Sequence, residues 1–378
     1  MSKLLQLGFI AIGVITLWTG CNLQGHTDIR LHTAAERLQL RMDTLRQHGF
    51  MFGHQNDTFY GTTWEFEADK SDTKLVTGDY PALMGFELGG IESGDEKNCD
   101  SVPFEQIRRE AIKHYLRGGI LSFSWHPRNP ATGGSSEDVS DTATVSSLLA
   151  GGTRAELFQT WTNRVIEFLQ SIKASDGRHL PFILNPWQDC NSNRYWWGQD
   201  NCTPQQYKAL WNLFQDRVNT AMPNNVIWAF SADLYGTWDQ SLLERYPGDS
   251  RVYLLGIDAC QTGREKEFAK KLDEHLATAH GFAQKHKKLM ALTECGYRNS
   301  PDGTWWTRVL KPVVEKYPVS YILSGTNRRD EHYGPAPDLQ TQEDFVRFYE
   351  APNTLFLGDV CPKKANELGR DSSEIIWL

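Results

Sequence analysis

The stretch RGGILSFSWH, residues 117–126, decides the fold. A short apolar run, 119–124, lies in its centre and stops at Trp125 and His126. The segment before it, 104–117, has the apolar periodicity of an amphipathic helix. A short run that is apolar without alternation is typical of a strand buried on both faces of a parallel sheet. The stretch therefore predicts a helix followed by a parallel strand that ends in polar side chains.

The same pattern recurs along the chain. Seven further apolar runs lie at 49–52, 82–86, 181–184, 226–230, 252–257, 289–292 and 319–323, and further helices are predicted at 155–173, 204–219, 265–286 and 305–316. Eight strands that alternate with helices predict an α/β protein with a single (β/α)8 TIM barrel. A doubly wound open sheet is the alternative. No GxGxxG motif follows the first strand, which argues against dinucleotide binding and weakens that alternative.

Composition excludes several classes of function. The chain has 378 residues, a normal length for one barrel with loop insertions, and a formal net charge of −8. An acidic chain without a dense Lys/Arg stripe is not expected to bind nucleic acid. The sequence has no CxxC pair and no HExxH motif, so we expect neither a metal nor another cofactor. We expect a monomer.

The first residues resemble an export signal. Lys3 precedes an apolar run from Leu4 to Trp18, and Thr19-Gly20-Cys21 follows it. This pattern predicts a lipoprotein signal peptide over 1–21, with a lipid anchor on Cys21 of the exported protein. Plain secretion and an uncleaved anchor are the alternatives, although the run is short for a membrane span. Residues 22–35 are then a polar tether, and 36–378 form the domain. The protein would face the periplasm or the cell surface, with the lipid as its only membrane contact.

Six cysteines follow Cys21, and export makes disulfides plausible. Cys190 and Cys202 are close enough in sequence to pair. Cys260 and Cys295 follow the adjacent sixth and seventh strands, so they are either a disulfide or two buried thiols.

Polar side chains follow every predicted strand. They include His54, Glu87, His126, Gln188, Asp189, Asp258, Glu294 and Asn327. In a barrel the loops after the strands converge on one mouth, which is where barrel enzymes carry out their chemistry. This pattern therefore predicts a site at the carboxyl ends of the strands.

Asp189 and Glu294 are the predicted catalytic pair. They follow the fourth and seventh strands, whose ends face each other across the mouth of a closed barrel. Two carboxyls about 5–5.5 Å apart suit a retaining glycosidase, in which one is the nucleophile and the other is first the acid and then the base. The acid must keep its proton near neutral pH, which needs apolar or acidic surroundings. The residues predicted to bind the substrate are His54, His126, Trp187, Gln188, Trp196, Trp197, Asp258 and Asn327, with the three Trp as apolar walls.

Most of the chain after about residue 35 resembles glycoside hydrolase family 26, mainly β-mannanases and especially those of gut Bacteroidetes. The motifs are MFGHQND (51–57), GDYPALMGFELGGIE (78–92), RGGILSFSWH with NPATGGSS (117–136), WWGQDNCTPQQYKALW (196–211), LERYPGD (243–249), LTECGY (292–297) and PVSYILSGTN (318–327). The resemblance implies a (β/α)8 barrel that hydrolyses β-1,4-mannosidic bonds with retention. It also implies that Glu294 is the nucleophile and that His126 binds a sugar.

Six positions at the mouth depart from the family's usual pattern. Asn185, Gln188 and Asp189 stand where Arg, His and the acid/base Glu are usual. Arg194 and Gly325 stand where Trp is usual, and Cys260 stands where Tyr is usual. Asp is shorter than Glu by one methylene, and a catalytic group misplaced by about 1 Å can lose about 100-fold in rate.

Three hypotheses follow. The first is a retaining hydrolase of mannan-type glycans, with weak activity. The second is a glycan-binding lipoprotein that keeps the barrel without turnover. The third is a glycosidase of altered specificity, in which Cys260 and Gly325 open room for another sugar.

Overall fold

The computed structural model describes residues 32–361, and these form the predicted (β/α)8 barrel. The strands are β1 Phe50–Gln55, β2 Leu83–Glu87, β3 Ile120–Trp125, β4 Phe182–Pro186, β5 Val226–Asp233, β6 Leu254–Gln261, β7 Leu289–Tyr297, β8 Val319–Ser324 and β9 Thr354–Leu355. The strands β1 to β8 pair in parallel in chain order, and β1 pairs with both β8 and β2, which closes the cylinder. The short β9, which the sequence pattern does not predict, pairs with the first residues of β1. All eight predicted strands are therefore present.

Helices connect the strands around the outside of the barrel. They are α1 Ala34–Leu45, α2 Asp72–Thr77, α3 Phe104–Leu116, α4 Thr144–Leu148, α5 Ala155–Ser171, α6 Pro204–Ala221, α7 Gln240–Arg245, α8 Glu265–His286, α9 Lys311–Val314, α10 Gln342–Tyr349 and α11 Leu357–Val360. Short turns of 3-10 and π helix lie at Ile91–Ser93 and Trp306–Leu310. No helix between residues 32 and 361 has the length and apolar character needed to cross a membrane.

The helix predicted at 305–316 is interrupted. It consists of the π-helical turn Trp306–Leu310 followed by α9. Pro312 lies in the first turn of α9 and has no N–H to give to a carbonyl of the preceding turn. The regular hydrogen-bond ladder cannot continue through this position, and the wider π turn precedes it.

Helix α1 begins inside the segment predicted to be a tether. The Thr33 side chain accepts from the Glu36 N–H, and the Glu36 carboxylate accepts from the Thr33 N–H, which makes a capping box. The ordered domain therefore starts before residue 36. The predicted signal peptide and Cys21 lie outside the described residues.

Two apolar cores hold the barrel together. The larger one fills the space between the strands and the surrounding helices. The smaller one fills the inside of the cylinder, where Met51, Leu83 and Ile183 meet Leu38 and Met42 of α1. Because α1 closes the amino-terminal end of the cylinder, the opposite, carboxyl end is left open for a site.

A β-bulge shapes that open end. Between β6 and β7, Ile257 pairs with Leu292 but Asp258 pairs with Glu294, so Thr293 is an extra residue in β7. A bulge re-aims the side chains that follow it. As a result Glu294 shares the inner face with Asp258, and Thr293 is close enough to donate to that carboxylate.

Candidate active site

A cleft of about 380 Å³ opens at the carboxyl ends of the strands. Its lining comes from strands β1, β2, β3, β4, β7 and β8 and from the loops after them. The lining residues are Gln55, Glu87, Cys99, Asp100, Ser122, Ser124, His126, Ser136, Glu137, Asn185, Gln188, Arg194, Tyr195, Thr293, Glu294, Leu323, Ser324, Gly325, Thr326, Arg328, Glu331 and Tyr333. Most of these side chains are polar or charged, which suits a hydroxyl-rich ligand.

Glu294 lines the cleft from β7 and is only half-buried, so a ligand can reach it. Its pKa is raised, first by burial of the carboxyl and then by the negative charge of Asp258. His126 and Arg194 oppose this rise because their positive charges favour the carboxylate. Glu294 is therefore an accessible carboxyl with cationic neighbours, which suits a nucleophile.

His126 lies between two acidic side chains. Its Nδ1 is 2.7 Å from Oε2 of Glu87, which also accepts from the Ser124 hydroxyl at 2.5 Å. Burial favours the neutral carboxyl of Glu87, but the His126 charge and the hydrogen bonds outweigh it and lower its pKa to about 2. Burial likewise opposes charge on His126, yet Glu87 and Glu294 raise its pKa. Both carboxyls thus favour the protonated form of His126, a residue that lines the cleft with the candidate nucleophile.

Asp189 and Asp258 form a hydrogen-bonded carboxyl pair just behind the cleft wall. Both are 5% exposed, and neither lines the cleft. Burial, followed by the charge of Asp258, raises the pKa of Asp189 well above its ordinary value. The pKa of Asp258 is raised as well, again chiefly by burial. Two carboxyls in such contact share one proton, because both cannot ionise side by side.

Three donors fix Asp258 as the charged member of the pair. The Thr293 hydroxyl donates to its Oδ1 and the Ser231 hydroxyl to its Oδ2, both at 2.7 Å. The Gln188 amide also donates to Oδ1, at 3.3 Å. By contrast Oδ1 of Asp189 has no partner. The shared proton therefore belongs on Asp189, the residue predicted to be the acid.

Sequence and structure comparisons relate this barrel to known proteins. The family model for glycosyl hydrolase family 26 matches residues 32–303. The chain belongs to glycosyl hydrolase family 26. A GH26 β-mannanase from Bacteroides ovatus has the same fold, with a TM-score of 0.84 and 39% identity, over 87% of this chain and 97% of that one.

Two relatives of this family 26 protein, at lower identity, are named as mannan endo-1,4-β-mannosidases. A mannan endo-1,4-β-mannosidase of Bifidobacterium adolescentis is 28% identical over 75% of this chain. A second one, of Thermothelomyces thermophilus, is 26% identical over 60% of this chain. This chain spans only 30% and 45% of those two proteins.

The three tryptophans predicted to bind substrate lie in the core of this family 26 protein. Trp187, Trp196 and Trp197 are each 0% exposed and pack edge to face, with ring centroids 5.0 to 5.6 Å apart. Their placement corrects the prediction that they form walls of the sugar site. Trp197 contacts the cleft lining from behind, since its ring stacks on Tyr195 at a centroid distance of 4.6 Å and Tyr195 lines the cleft.

His54 and Asn327 also lie outside the cleft lining, so their predicted substrate contacts are not supported. His54 is fully buried, and its Nδ1 is 2.9 Å from Oδ1 of Asp57. The Asn327 amide donates to Asp72 and to a backbone carbonyl, and its oxygen accepts from the N–H groups of Tyr333 and Gly334. Both residues stabilise the loops that surround the cleft. Of the predicted binding residues, His126 and Gln188 line it.

Sequence reasoning missed two ion pairs at the rim. Arg194 pairs with Glu137 at 2.8 Å, and Arg328 pairs with Asp100 at 3.5 Å. All four side chains line the cleft. They come from loops after four different strands, so no local sequence signal joins them.

Neither of the two disulfides considered from the sequence is present, because Cys190, Cys202, Cys260 and Cys295 are all free thiols. In the β6–β7 register, Ala259 lies opposite Cys295, so Cys260 and Cys295 point to opposite faces of the sheet.

Cys190 and Cys202 each have other partners. Cys202 donates to the Trp197 carbonyl and receives a hydrogen bond from Arg245 at 3.4 Å. Cys190 hydrogen-bonds with Tyr207. Within residues 32–361, no three His, Cys, Asp or Glu side chains gather in a way that could hold a metal ion.

Proposed function

We propose that this domain binds a β-1,4-mannan-type glycan in the cleft and hydrolyses it slowly, with retention of configuration. One observation carries the proposal: Glu294 is accessible on the cleft wall, with His126 and the carboxyl pair Asp189–Asp258 as its charged neighbours. Glu294 would attack the anomeric carbon, and Asp189 would protonate the leaving oxygen and later activate water. The family 26 relatives named as mannanases support the choice of glycan.

The position of Asp189 argues for slow turnover. Its raised pKa suits a general acid near neutral pH. Its carboxyl, however, is hydrogen-bonded to Asp258 behind the wall rather than directed into the cleft. Protonation of a leaving group would require this side chain to leave Asp258 first, and the shorter Asp has less reach than Glu.

The position of the Asp189 carboxyl behind the cleft wall also favours a second candidate function. A protein that binds the glycan without cleaving it needs the cleft and its polar lining, but no acid in reach of the glycosidic oxygen. The half-buried Glu294 then serves as a hydrogen-bond acceptor for sugar hydroxyls. The two functions differ only in turnover.

Hydrolysis of β-1,4-linked manno-oligosaccharides separates the two candidates. The wild type should release shorter oligosaccharides slowly, with the β-anomer first in the NMR spectrum. Glu294→Ala should abolish release, whereas Glu274→Ala, on the outer surface of α8, should leave it unchanged. Asp189→Glu should raise the rate if reach limits it.

Binding by calorimetry completes this test. If no variant releases product while the wild type still binds oligosaccharide, the hydrolase proposal is wrong and the binding function stands. If Glu294→Ala cleaves as fast as the wild type, the assignment of the nucleophile is wrong.

We also propose that the protein is exported, that it carries a lipid anchor on Cys21, and that it is a monomer. The support is the apolar run from Leu4 to Trp18, which Thr19-Gly20-Cys21 follows. Cys21→Ala should move the protein from the membrane fraction to the soluble fraction and abolish incorporation of labelled fatty acid. Fatty-acid incorporation into Cys21→Ala would disprove the anchor.

A further inference from the structure

Two glycines at the ends of adjacent strands make a seat for an aromatic ring. Gly296 lies at the end of β7, and Gly325 directly follows β8. A Cβ atom on Gly325 would lie 3.0 Å from Cγ of Tyr333, and one on Gly296 would lie 2.9 Å from its Cβ. Any side chain at either position would displace Tyr333. The Tyr333 ring therefore lies directly over both strand ends.

The loop after β8 fixes both the backbone and the hydroxyl of Tyr333. The Asn327 side-chain oxygen accepts from the N–H groups of Tyr333 at 3.2 Å and Gly334 at 2.9 Å. The Tyr333 hydroxyl donates to Glu331 at 2.7 Å, and Glu331 pairs with Arg298 at 3.0 Å. Backbone and hydroxyl are both anchored, so the orientation of the ring is set before a ligand arrives.

Tyr333 is also the more accessible of the two tyrosines in the cleft. Tyr195 is 6% exposed and stacked on Trp197, whereas Tyr333 is only half-buried. This placement argues against the third hypothesis from the sequence, in which small residues at 260 and 325 open room for another sugar. Tyr333 already lies over Gly325.

We propose that Tyr333 is the aromatic platform of the cleft and stacks against a pyranose ring of the bound glycan. This inference rests on the proposed function for the class of ligand. The apolar C–H face of a pyranose can cover an aromatic ring and remove both from water, while its hydroxyls reach the polar lining. Tyr333 is thus a specificity-determining residue contributed by a loop rather than by a strand.

Calorimetry with β-1,4-linked manno-, gluco- and xylo-hexaoses tests this proposal. Tyr333→Ala should weaken binding of the preferred hexaose by at least about tenfold, since it removes the stacked area. Tyr333→Leu, which keeps apolar volume without a planar ring, should weaken it as well. Tyr333→Phe should bind within about threefold of wild type, because it keeps the ring and loses only the bond to Glu331.

Glycine variants test the seat itself. Gly325→Ala should weaken binding because the added methyl group displaces the ring. Gly281→Ala is the matched control, since a Cβ there meets nothing within 4 Å. Melting temperatures of all variants establish that each one is folded.

The outcomes separate this inference from the function on which it rests. If the wild type binds a hexaose and Tyr333→Ala binds it equally well, the platform is wrong and the proposed function stands. A loss in Tyr333→Phe as large as in Tyr333→Ala would assign the effect to the hydroxyl and overturn stacking. If the wild type binds none of the three hexaoses, the proposed function fails and this inference fails with it.

Discussion

At the scale of single residues, Asp189 shows how a carboxyl keeps a proton. Asp189 lies three residues after the end of β4, in a left-handed backbone conformation with φ at 54°. Such a conformation costs energy for a residue with a Cβ, so the surrounding contacts must hold it. Thr293 and Ser231 stabilise Asp258 as the acceptor, and Asp189 is left as the donor. Two similar carboxyls thereby take opposite roles.

Asp189→Asn should abolish hydrolysis and stabilise the fold at high pH. Because the pKa of Asp189 is raised in the folded state, its proton stabilises the fold at low pH, and that contribution is lost as the pH rises through the folded pKa. The Asn amide donates to Asp258 at every pH. The variant should therefore match the wild type near pH 4 and gain about 1 kcal/mol at the alkaline end. Thermal melts from about pH 4 to about pH 9 measure this difference.

The exposed carboxyl Asp330 provides the control for this melt series. Asp330→Asn measures how far the exchange of a carboxyl for an amide at an exposed position shifts the melts, and Asp189→Asn is compared with it at each pH. If Asp189→Asn were less stable than the wild type at high pH, the shared proton would be wrongly assigned.

The position of polar residues after the predicted strands identified part of this site. Glu294, His126 and Gln188 were identified because each follows an apolar strand, and all three line the cleft. Trp187 was not placed correctly, since a tryptophan packs equally well in a core or against a sugar, and composition does not distinguish the two. Tyr333 has no signal of its own in the sequence, because its place depends on the absence of side chains at Gly296 and Gly325.

At the scale of elements, the strands were the most predictable part of the chain. A parallel strand buried on both faces is apolar throughout, so a run such as 226–230 identifies β5 without knowledge of its neighbours. Helix α8 likewise has the predicted bounds, 265–286. The bulge at Thr293 was not predictable, because it exists only in the pairing of β7 with β6.

Helix α1 was also missed, yet the inner core of the barrel depends on it. Met42 is 0% exposed and packs in the core inside the cylinder, while Leu40 on the same helix is 37% exposed. Met42→Ala should lower the free energy of unfolding by about 3 kcal/mol, because it leaves a cavity in that core. Urea denaturation followed by tryptophan fluorescence measures this loss.

Leu40→Ala is the matched control for Met42→Ala. It should change stability by less than about 0.5 kcal/mol, as is usual for surface positions. Neither change should alter the affinity for oligosaccharide, since α1 closes the end of the barrel opposite the cleft. Equal losses from both variants would mean that α1 does not close the inner core.

At the scale of the whole molecule, the charge of the protein favours a neutral ligand over an anionic one. The chain carries a formal net charge of −8. The two arginines that line the cleft, Arg194 and Arg328, are each paired with a carboxylate, Glu137 and Asp100. An anionic polysaccharide would meet repulsion at a distance and cations that are already paired. A neutral glycan avoids both effects, which favours mannan-type ligands over acidic ones.

Binding of a neutral manno-hexaose should therefore depend little on salt. Stacking and hydrogen bonds to hydroxyls are not screened, so affinity should change by less than about twofold between roughly 0.05 M and 0.5 M NaCl. Titration calorimetry at several salt concentrations measures this, with an oligogalacturonate as the anionic comparison. A steep fall in affinity for the neutral hexaose would contradict binding by stacking and by hydrogen bonds to hydroxyls. Strong binding of the oligogalacturonate at low salt would mean that Arg194 and Arg328 exchange their carboxylate partners for the ligand. That second result would move the preferred substrate from plain mannan to an acidic glycan.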